Sequence, residues 1–416
     1  MTARSLPLAI LIISLSHGTL PADPAGSVQR TRIVDRHQQP LAWDTLLTGT
    51  GREAGTEPDE ARMTIDARLQ EIVHDGFRQG LETFHAAAGT VIVMDPKTGA
   101  ILAMTSQSPD QFAGPDQPAG KEPPFAIAAA FEPGSIFKIV AASAALDQAW
   151  VTYDTLIDCH EGIYKDGALR VPDHKPYGML PVWRVIQKSS NIGSYMIATK
   201  LGPGGFHNHA RALGFGEITG IGIPGENSGI LRDTANQVDF SRQSYGYSLA
   251  ATPIQIAAAY AAIANDGMLM RPRLIEAVSR TGDSEWETHP PVEVRRVMGE
   301  NTARDMRKML ATVCTDEGNA PRAKVPGHTV AGMSATTRKH GPKDGRRLPE
   351  KFIASFAGML PAGEPAFVCV VVVDDPRPPD VRPYGGTVAA PIFSQIAARL
   401  AKEMKLEPSA PDESGD

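Results

Sequence analysis

The order in which β-rich and helix-periodic segments succeed one another narrows the folds open to this chain. A helix-spaced segment comes first. TIDARLQEIVHDGFRQGLETF carries Leu69, Ile72, Val73 and Phe77 at helical intervals, with Thr64 or Asp66 placed to cap it. Two apolar runs, VIVM and AILAM, then flank Asp95-Pro96-Lys97-Thr98-Gly99. Pro and Gly stand there where a turn wants them, so a β-hairpin is expected. Helical stretches dominate from Ser135 to Ile263. The clearest is TPIQIAAAYAAIANDG, with Thr252 as cap, Pro253 at the first helical position and Gly267 past the end. β-rich runs return late, as FIASFAGML and AFVCVVVVDDP, separated by a turn between Pro361 and Pro365. The amphipathic segment APIFSQIAARLAKEMKL closes the chain. This order describes an α+β domain, a sheet faced by terminal helices with a helical insert.

Length and charge exclude several classes. The 416 residues suffice for two or three average domains or one large one. Lys plus Arg number 41 against 47 Asp plus Glu, a net charge of −6, which argues against a nucleic-acid partner held by phosphate contacts. With 42% hydrophobic and 21% charged residues, the chain is neither collagen, nor a long disordered polymer, nor a multi-span membrane protein. Cys159, Cys314 and Cys369 are far apart and odd in number, so neither a disulfide framework nor a zinc site is expected. Arg4 precedes the apolar run Leu6–Leu15, which suits an export signal and falls short of the ~20 residues that span a bilayer. Residues 1–22 therefore read as a signal peptide or short membrane anchor. The protein is expected outside the cytoplasm, exported or at the periplasmic face of the inner membrane.

Chemistry begins at FEPGSIFKIVAASAAL. Pro133-Gly134 ends an extended stretch, and Ile136, Ile139, Val140 and Ala144 start a helix, so Ser135 falls at a helix N-terminus. Unpaired backbone N–H groups there favour developing negative charge. Lys138 follows one turn on, the same face. A serine is a weak nucleophile until a neighbour takes its proton, and a lysine in an apolar turn loses its charge easily enough to do so. Ser-x-x-Lys alone is weak, since on the order of one copy arises by chance in a chain this long. A second polar break, Ser189-Ser190-Asn191, lies between two helical runs. Ser189 can relay a proton from Lys138, and Asn191 can hold a substrate amide.

Together these residues carry a resemblance. From about Arg62 to its end the chain resembles the transpeptidase domain of class B penicillin-binding proteins. EPGSIFK resembles the family's active-serine motif and Ser189-Ser190-Asn191 its Ser-x-Asn motif. MTIDARLQ, VIVMDPKTGAILAM, SYGYSLAATPIQIAAAYAAIANDG, FIASFAGMLPA and YGGTVAAPIF match the same ground plan in chain order. RTRIVDRHQQPLA, Arg30–Ala42, is similar to the lead-in to the family's non-catalytic pedestal. The resemblance implies a serine penicillin-recognising fold (β-lactamase/transpeptidase-like), an antiparallel sheet faced by helices plus an all-helical subdomain. It implies acyl transfer on peptidoglycan stem peptides, acylation by β-lactams, a glycosyltransferase of the cell-wall machinery as a further partner, and no cofactor or metal. It divides the chain into a linker with a vestigial pedestal lead-in at 23–61, the transpeptidase-like domain at 62–405 and a disordered tail at 406–416.

Two departures stand out. Only residues 43–62 separate Ala42 from Met63, where the family carries a pedestal domain, so docking surfaces are reduced. The third motif, Lys-Thr-Gly, is altered. Lys97-Thr98-Gly99 precedes Ser135 and lies in the hairpin turn, so it is a decoy. In TVAGMSATTRK, Met333-Ser334-Ala335-Thr336 stands where the family has Lys-Thr-Gly-Thr. Ser334 keeps a hydroxyl, and the Thr336 N–H can serve an oxyanion hole with that of Ser135. The positive charge is gone, at a cost of ~1.5–3 kcal/mol, on the order of 10- to 150-fold. Arg338 and Lys339 lie five and six residues downstream of Met333.

Three readings follow. The first is a serine D,D-transpeptidase with Ser135, Lys138 and Ser189 catalytic and Asn191, Ser334 and Thr336 on the substrate. The second is a pseudoenzyme scaffold, for which Met333 speaks. The third is a β-lactamase or β-lactam sensor, against which Asn191, the helical insert and the lead-in segment speak. Cys159-His160 is expected to be a loop pair, Asp173-His174 a solvated loop, and Asp374-Asp375 the opening of a turn rather than a metal pair.

Overall fold

The computed structural model describes residues 32–39, 60–107, 124–234, 236–279, 285–340 and 347–409. The chain begins in β1 (Arg32–Val34), parallel to β2 (Glu60–Met63) in the register Arg32↔Glu60. Helix α1 (Ala67–Thr83) is capped twice. Asp66 accepts from the N–H groups of Arg68 and Leu69, and Asp35 accepts from Ala67 N at 3.2 Å. His37 Nε2 lies 2.8 Å from Asp66 Oδ2. The lead-in segment is thus bonded to the first helix rather than trailing from it.

The expected hairpin forms from β3 (Ala88–Met94) and β4 (Ile101–Gln107). In its turn the Thr98 hydroxyl donates to Asp95 Oδ2 at 2.6 Å, and Gly99 takes φ +69°. Lys97-Thr98-Gly99 is a turn. After α2 (Phe125–Ala128), a 3₁₀ turn at Gly134–Lys138 runs into α3 (Ile139–Asp147).

The stretch that follows corrects the expectation of a helical block. β5 (Leu156–Asp158) pairs with β8 (Met179–Pro181), and β6 (Ile163–Asp166) with β7 (Leu169–Pro172). Ribbons of three or four residues are too short to display alternation, and only the punctuation of Gly162, Gly167, Pro172, Pro176 and Gly178 betrays them. Helices resume with α4 (Val182–Gln187), α5 (Asn191–Ala212, broken at Gly202-Pro203), α6 (Gln237–Gln243) and α7 (Pro253–Ala264). Thr252 and Gln255 form a reciprocal capping box at the start of α7.

Next come β9 (Met268–Met270), β10 (Ile275–Ser279), β11 (Glu287–Thr288), β12 (Glu293–Arg296) and α8 (Glu300–Val313). The last elements are β13 (Ala331–His340), β14 (Arg347–Leu360), β15 (Phe367–Asp374) and α9 (Ala389–Glu403). The main sheet has the order β13-β14-β15-β3-β4, antiparallel throughout. The early hairpin therefore docks on the late strands, with Val91 opposite Val371. β3 and β15 are buried along their whole length, as central strands covered on both faces must be. Helices α1 and α9 cover one face. Gly76 and Gly80 let α9 approach, because a Cβ on either would sit 2.6 Å from Ile396 or Ile392. Helix α7 covers the other face. β1, β2, β10 and β11 form a second sheet, and β9 pairs with β12.

The domain runs past 405. Leu406 packs on the core and Ser409 Oγ accepts from Thr329 N at 2.7 Å, so a tail beginning at 406 is corrected for residues 406–409. The apolar run 6–15 and residues 410–416 lie outside the described residues. Among the described residues no helix is long and apolar enough to cross a membrane.

Candidate active site

The site is built on β13, the edge strand, and the 3₁₀ turn beside it. Gly134 takes φ +59°, and a Cβ there would lie 2.8 Å from Thr337 Cγ2 and 3.4 Å from Ala335 Cβ. Its N–H donates to Gly246 O at 2.9 Å. Gly246, at φ +86°, is pressed against the same turn, and its Cβ would lie 2.1 Å from Gly134 O. Neither position accepts a side chain. Gly246→Ala is expected to cost about 2 kcal/mol or more, from a positive φ combined with a clash against backbone. Urea unfolding checks this, and an unchanged midpoint refutes it.

The turn at Ser135 is 3₁₀ rather than the α-helical start read from the apolar spacing, which begins only at Ile139. In a 3₁₀ turn side chains three apart eclipse, which puts Ser135 and Lys138 side by side. Lys138 is fully buried. Its Nζ donates to Ser189 Oγ at 3.0 Å and to the Ser189 carbonyl at 2.5 Å, and Ser189 Oγ donates to Ser135 Oγ at 2.8 Å. Burial pushes the Lys138 ammonium down to about 7, against the opposing pull of the Asp173 carboxylate. A lysine of this kind exchanges a proton near neutral pH and is joined to Ser135 through one hydroxyl.

Ser189 stands at φ +54°, in the left-handed region that a serine seldom occupies. Its own N–H donates to Ile186 O at 3.0 Å and its carbonyl accepts from Lys138, while the three residues after it bond to Asp173. Ser190 Oγ donates to Asp173 Oδ2, and the N–H groups of Asn191 and Ile192 donate to Oδ1. The expectation of a solvated loop at Asp173 is corrected: it caps α5 from outside that helix. Ser190 also accepts from Gly193 N, a local cap. No sequence rule finds a cap donated from 17 residues upstream, because capping patterns are local. Asn191 Nδ2 donates to Pro172 O at 3.1 Å.

β13 contributes backbone and floor. The Tyr247 hydroxyl donates to Thr336 O at 3.3 Å from outside the sheet. A residue in an antiparallel ladder points its N–H and C=O to the same side, so the Thr336 N–H also leaves the open edge. The Thr336 hydroxyl accepts from Gly385 N at 2.9 Å, and the Ser334 hydroxyl faces Gly386. Alternation puts Met333, fully buried, in the row of Ala335 and Thr337 that abuts the serine turn. Neither downstream cation takes its place. Lys339 Nζ is paired with Asp374 at 2.7 Å, and the Arg338 guanidinium lies over the Phe352 ring at 6.0 Å.

The remaining candidates separate from the site or join its framework. Asp375 pairs with Arg377 and Lys351, so Asp374-Asp375 is an ion-pair cluster at the end of β15. Cys159 is buried, with its thiol pushed up by burial, and its Sγ lies 3.4 Å from Ser190 Oγ. The His160 ring packs on Tyr164 instead of facing that sulfur.

Residues 89–398 match the family model described as the penicillin binding protein transpeptidase domain. Penicillin-binding protein PbpB of Mycolicibacterium smegmatis is 32% identical over 377 residues, 87% of this chain and 57% of that protein. Peptidoglycan D,D-transpeptidase FtsI of Escherichia coli is 32% identical over 353 residues, 84% of this chain and 57% of that protein. The chain thus spans little more than half the length of these relatives. Among solved structures, the transpeptidase domain of Burkholderia pseudomallei penicillin-binding protein 3 is 33% identical and superposes with a TM-score of 0.73, covering 86% of this chain and 100% of that one. Penicillin-binding protein 3 of the tuberculosis bacillus, complexed with aztreonam, is 28% identical with a TM-score of 0.79, covering 92% of this chain and 97% of that one.

Proposed function

This chain belongs to the class B penicillin-binding protein transpeptidase family, and from that membership we propose that it is a serine acyl-transferase of D,D-transpeptidase type acting on peptidoglycan stem peptides. The observation that carries the reading is the unbroken path from buried Lys138 through Ser189 to Ser135. Ser135 Oγ attacks the carbonyl carbon of the terminal D-Ala–D-Ala bond. Its proton passes, through the Ser189 hydroxyl, to neutral Lys138. Charge on the carbonyl oxygen is taken up by the N–H groups of Ser135 and Thr336, each such donor being worth about 10²–10³-fold. Lys138 then returns the proton, through Ser189, to the departing D-alanine amine. The amine of a neighbouring stem then attacks the ester carbonyl, the bond from that carbon to Ser135 Oγ breaks, and the amine's proton passes by way of Lys138 and Ser189 back to Ser135 Oγ. Asn191 and Ser334 sit beside the substrate, and no cofactor or metal has a part in these steps.

β-Lactams are proposed as ligands of the same serine, a reading supported by the aztreonam and ampicillin complexes of the tuberculosis bacillus relative. The apolar run 6–15 supports export or attachment at the periplasmic face of the inner membrane, with 23–61 as linker. A cell-wall glycosyltransferase is proposed as a partner. A scaffold reading is favoured by Met333 alone. Intact-mass spectrometry after penicillin exposure decides between them. Wild type is expected to gain the mass of one penicillin, and Ser135→Ala none. An adduct mapped elsewhere, or none in folded wild type, ends the enzyme reading.

A further inference from the structure

The catalytic path uses Ser189 in a backbone conformation that serine resists, so something must hold it, and the groups around it single out one side chain. The Asp173 carboxylate accepts from Ser190 Oγ at 2.5 Å, from Asn191 N at 2.5 Å and from Ile192 N at 3.2 Å. These are the three residues that directly follow Ser189. Charge-assisted bonds of this kind are the strong ones, and together they fix the first turn of α5 against the loop after β7. The same carboxylate acts on every titratable group that closes on the site from neighbouring elements. It favours the protonated forms of Lys138 on the 3₁₀ turn, of Cys159 after β5, and of His174 and Tyr177 on its own loop. His174 is pushed down by burial first and by Lys138 second.

We propose that Asp173 is a positioning residue for this chemistry: its carboxylate holds the Ser189–Asn191 turn so that the Ser189 hydroxyl stands between Lys138 and Ser135, and its negative charge acts through space to keep the proton on Lys138. The proposal rests on the acyl-transfer reading for its kinetic consequence, and its structural footing is the set of bonds that tie Asp173 to Ser190, Asn191 and Ile192.

Two variants separate hydrogen bonding from charge. Asp173→Asn keeps the shape and one acceptor but removes the charge. Ser190→Ala removes one bond and leaves the charge. The acylation rate of Ser135 by penicillin is measured from pH 5 to 9, and the ¹³Cε resonance of Lys138, assigned with Lys138→Met, is titrated over the same range. Urea midpoints confirm that each variant is folded. Asp173→Asn is expected to lower the plateau rate on the order of 10- to 100-fold. It should also move the acid limb of the profile, and the Lys138 titration, to lower pH by roughly one unit. Loss of a nearby anion makes the ammonium harder to keep, hence that sign. Ser190→Ala is expected to lower the plateau severalfold with both midpoints unmoved. A folded Asp173→Asn with an unmoved Lys138 titration overturns the electrostatic role, and one with an unchanged plateau overturns the positioning role. If wild type is not acylated at Ser135, the acyl-transfer reading fails, and the Lys138 titration still decides the electrostatic half.

Discussion

Replacing Lys138 with alanine is expected to slow acylation of Ser135 by on the order of 10³-fold, within the range that a positioned general base supplies. The serine would lose the group to which its proton goes, and Ser189 would lose a donor to its hydroxyl and to its carbonyl. In wild type the rate is expected to climb with pH through about 7 and then level, because neutral lysine is the competent form and burial brings its titration there. The same displacement predicts a stability effect of definite sign. Lys138 titrates at about 7 folded against 10.5 as its ordinary value. Between those values the unfolded chain binds more protons, so this site's contribution to stability rises with pH across that window. Below 7 the penalty for burying the charge is complete. Lys138→Met should therefore be more stable than wild type at pH 6, by up to ~5 kcal/mol before its lost hydrogen bonds are counted, with the gap closing toward pH 10. Stopped-flow acylation and urea titrations at several pH values read both effects. A Lys138→Ala protein labelled as fast as wild type rules out the lysine as base.

Met333→Lys is expected to raise the acylation rate about 10-fold or more. Methionine and lysine are close in length and both unbranched, so the new side chain can follow the old path in the row beside Ala335 and Thr337. Neither downstream cation stands in for it: Lys339 is paired with Asp374 and Arg338 lies over Phe352. An ammonium there would meet the carboxylate of penicillin or of a stem peptide, the gain of one charge-assisted bond. It would also be a buried charge when no ligand is present, costing roughly 1 kcal/mol or more of stability. Second-order acylation rates at equal folded fraction make the comparison. A gain marks a weakened acyl-transferase frame. Equal and fast rates assign the charge to some other cation. Silence in both proteins favours the scaffold.

The sequence made the long elements readable and the site half readable, for reasons visible in particular residues. Helices α1 and α7 announce themselves through local caps, Asp66 and Thr252, that act within one turn. The β3–β4 hairpin and β15 carry runs long enough to be recognised. The ribbons β5 to β8 carry none. Ser135, Lys138 and Ser189 were found as motifs, and the structure adds the 3₁₀ turn and the positive φ of Ser189 that bring them into one hydrogen-bonded path. Asp173 read as part of a solvated loop, because its importance lies in a fold that returns β7 to the start of α5. Gly246 looked like one of many glycines until Gly134 was found 2.1 Å from where its side chain would begin.

The parallel pairing of β1 with β2 bears on how this domain can be rebuilt. Residues 40–59 leave from a turn in which the Asp35 carboxylate accepts from Gln39 N at 2.8 Å, and the chain re-enters where Glu60 lies opposite Arg32. The described residues on either side, 39 and 60, are both held by the domain, through Asp35 at the head of α1 and through the strand ladder. Since closure entropy grows only with the logarithm of length, each doubling of the excursion costs about 0.6 kcal/mol. The junction is thus a socket: segments of different length placed between residues 39 and 60 are expected to leave the β1–β2 ladder and the hydrogen-bonded path at Ser135 in place.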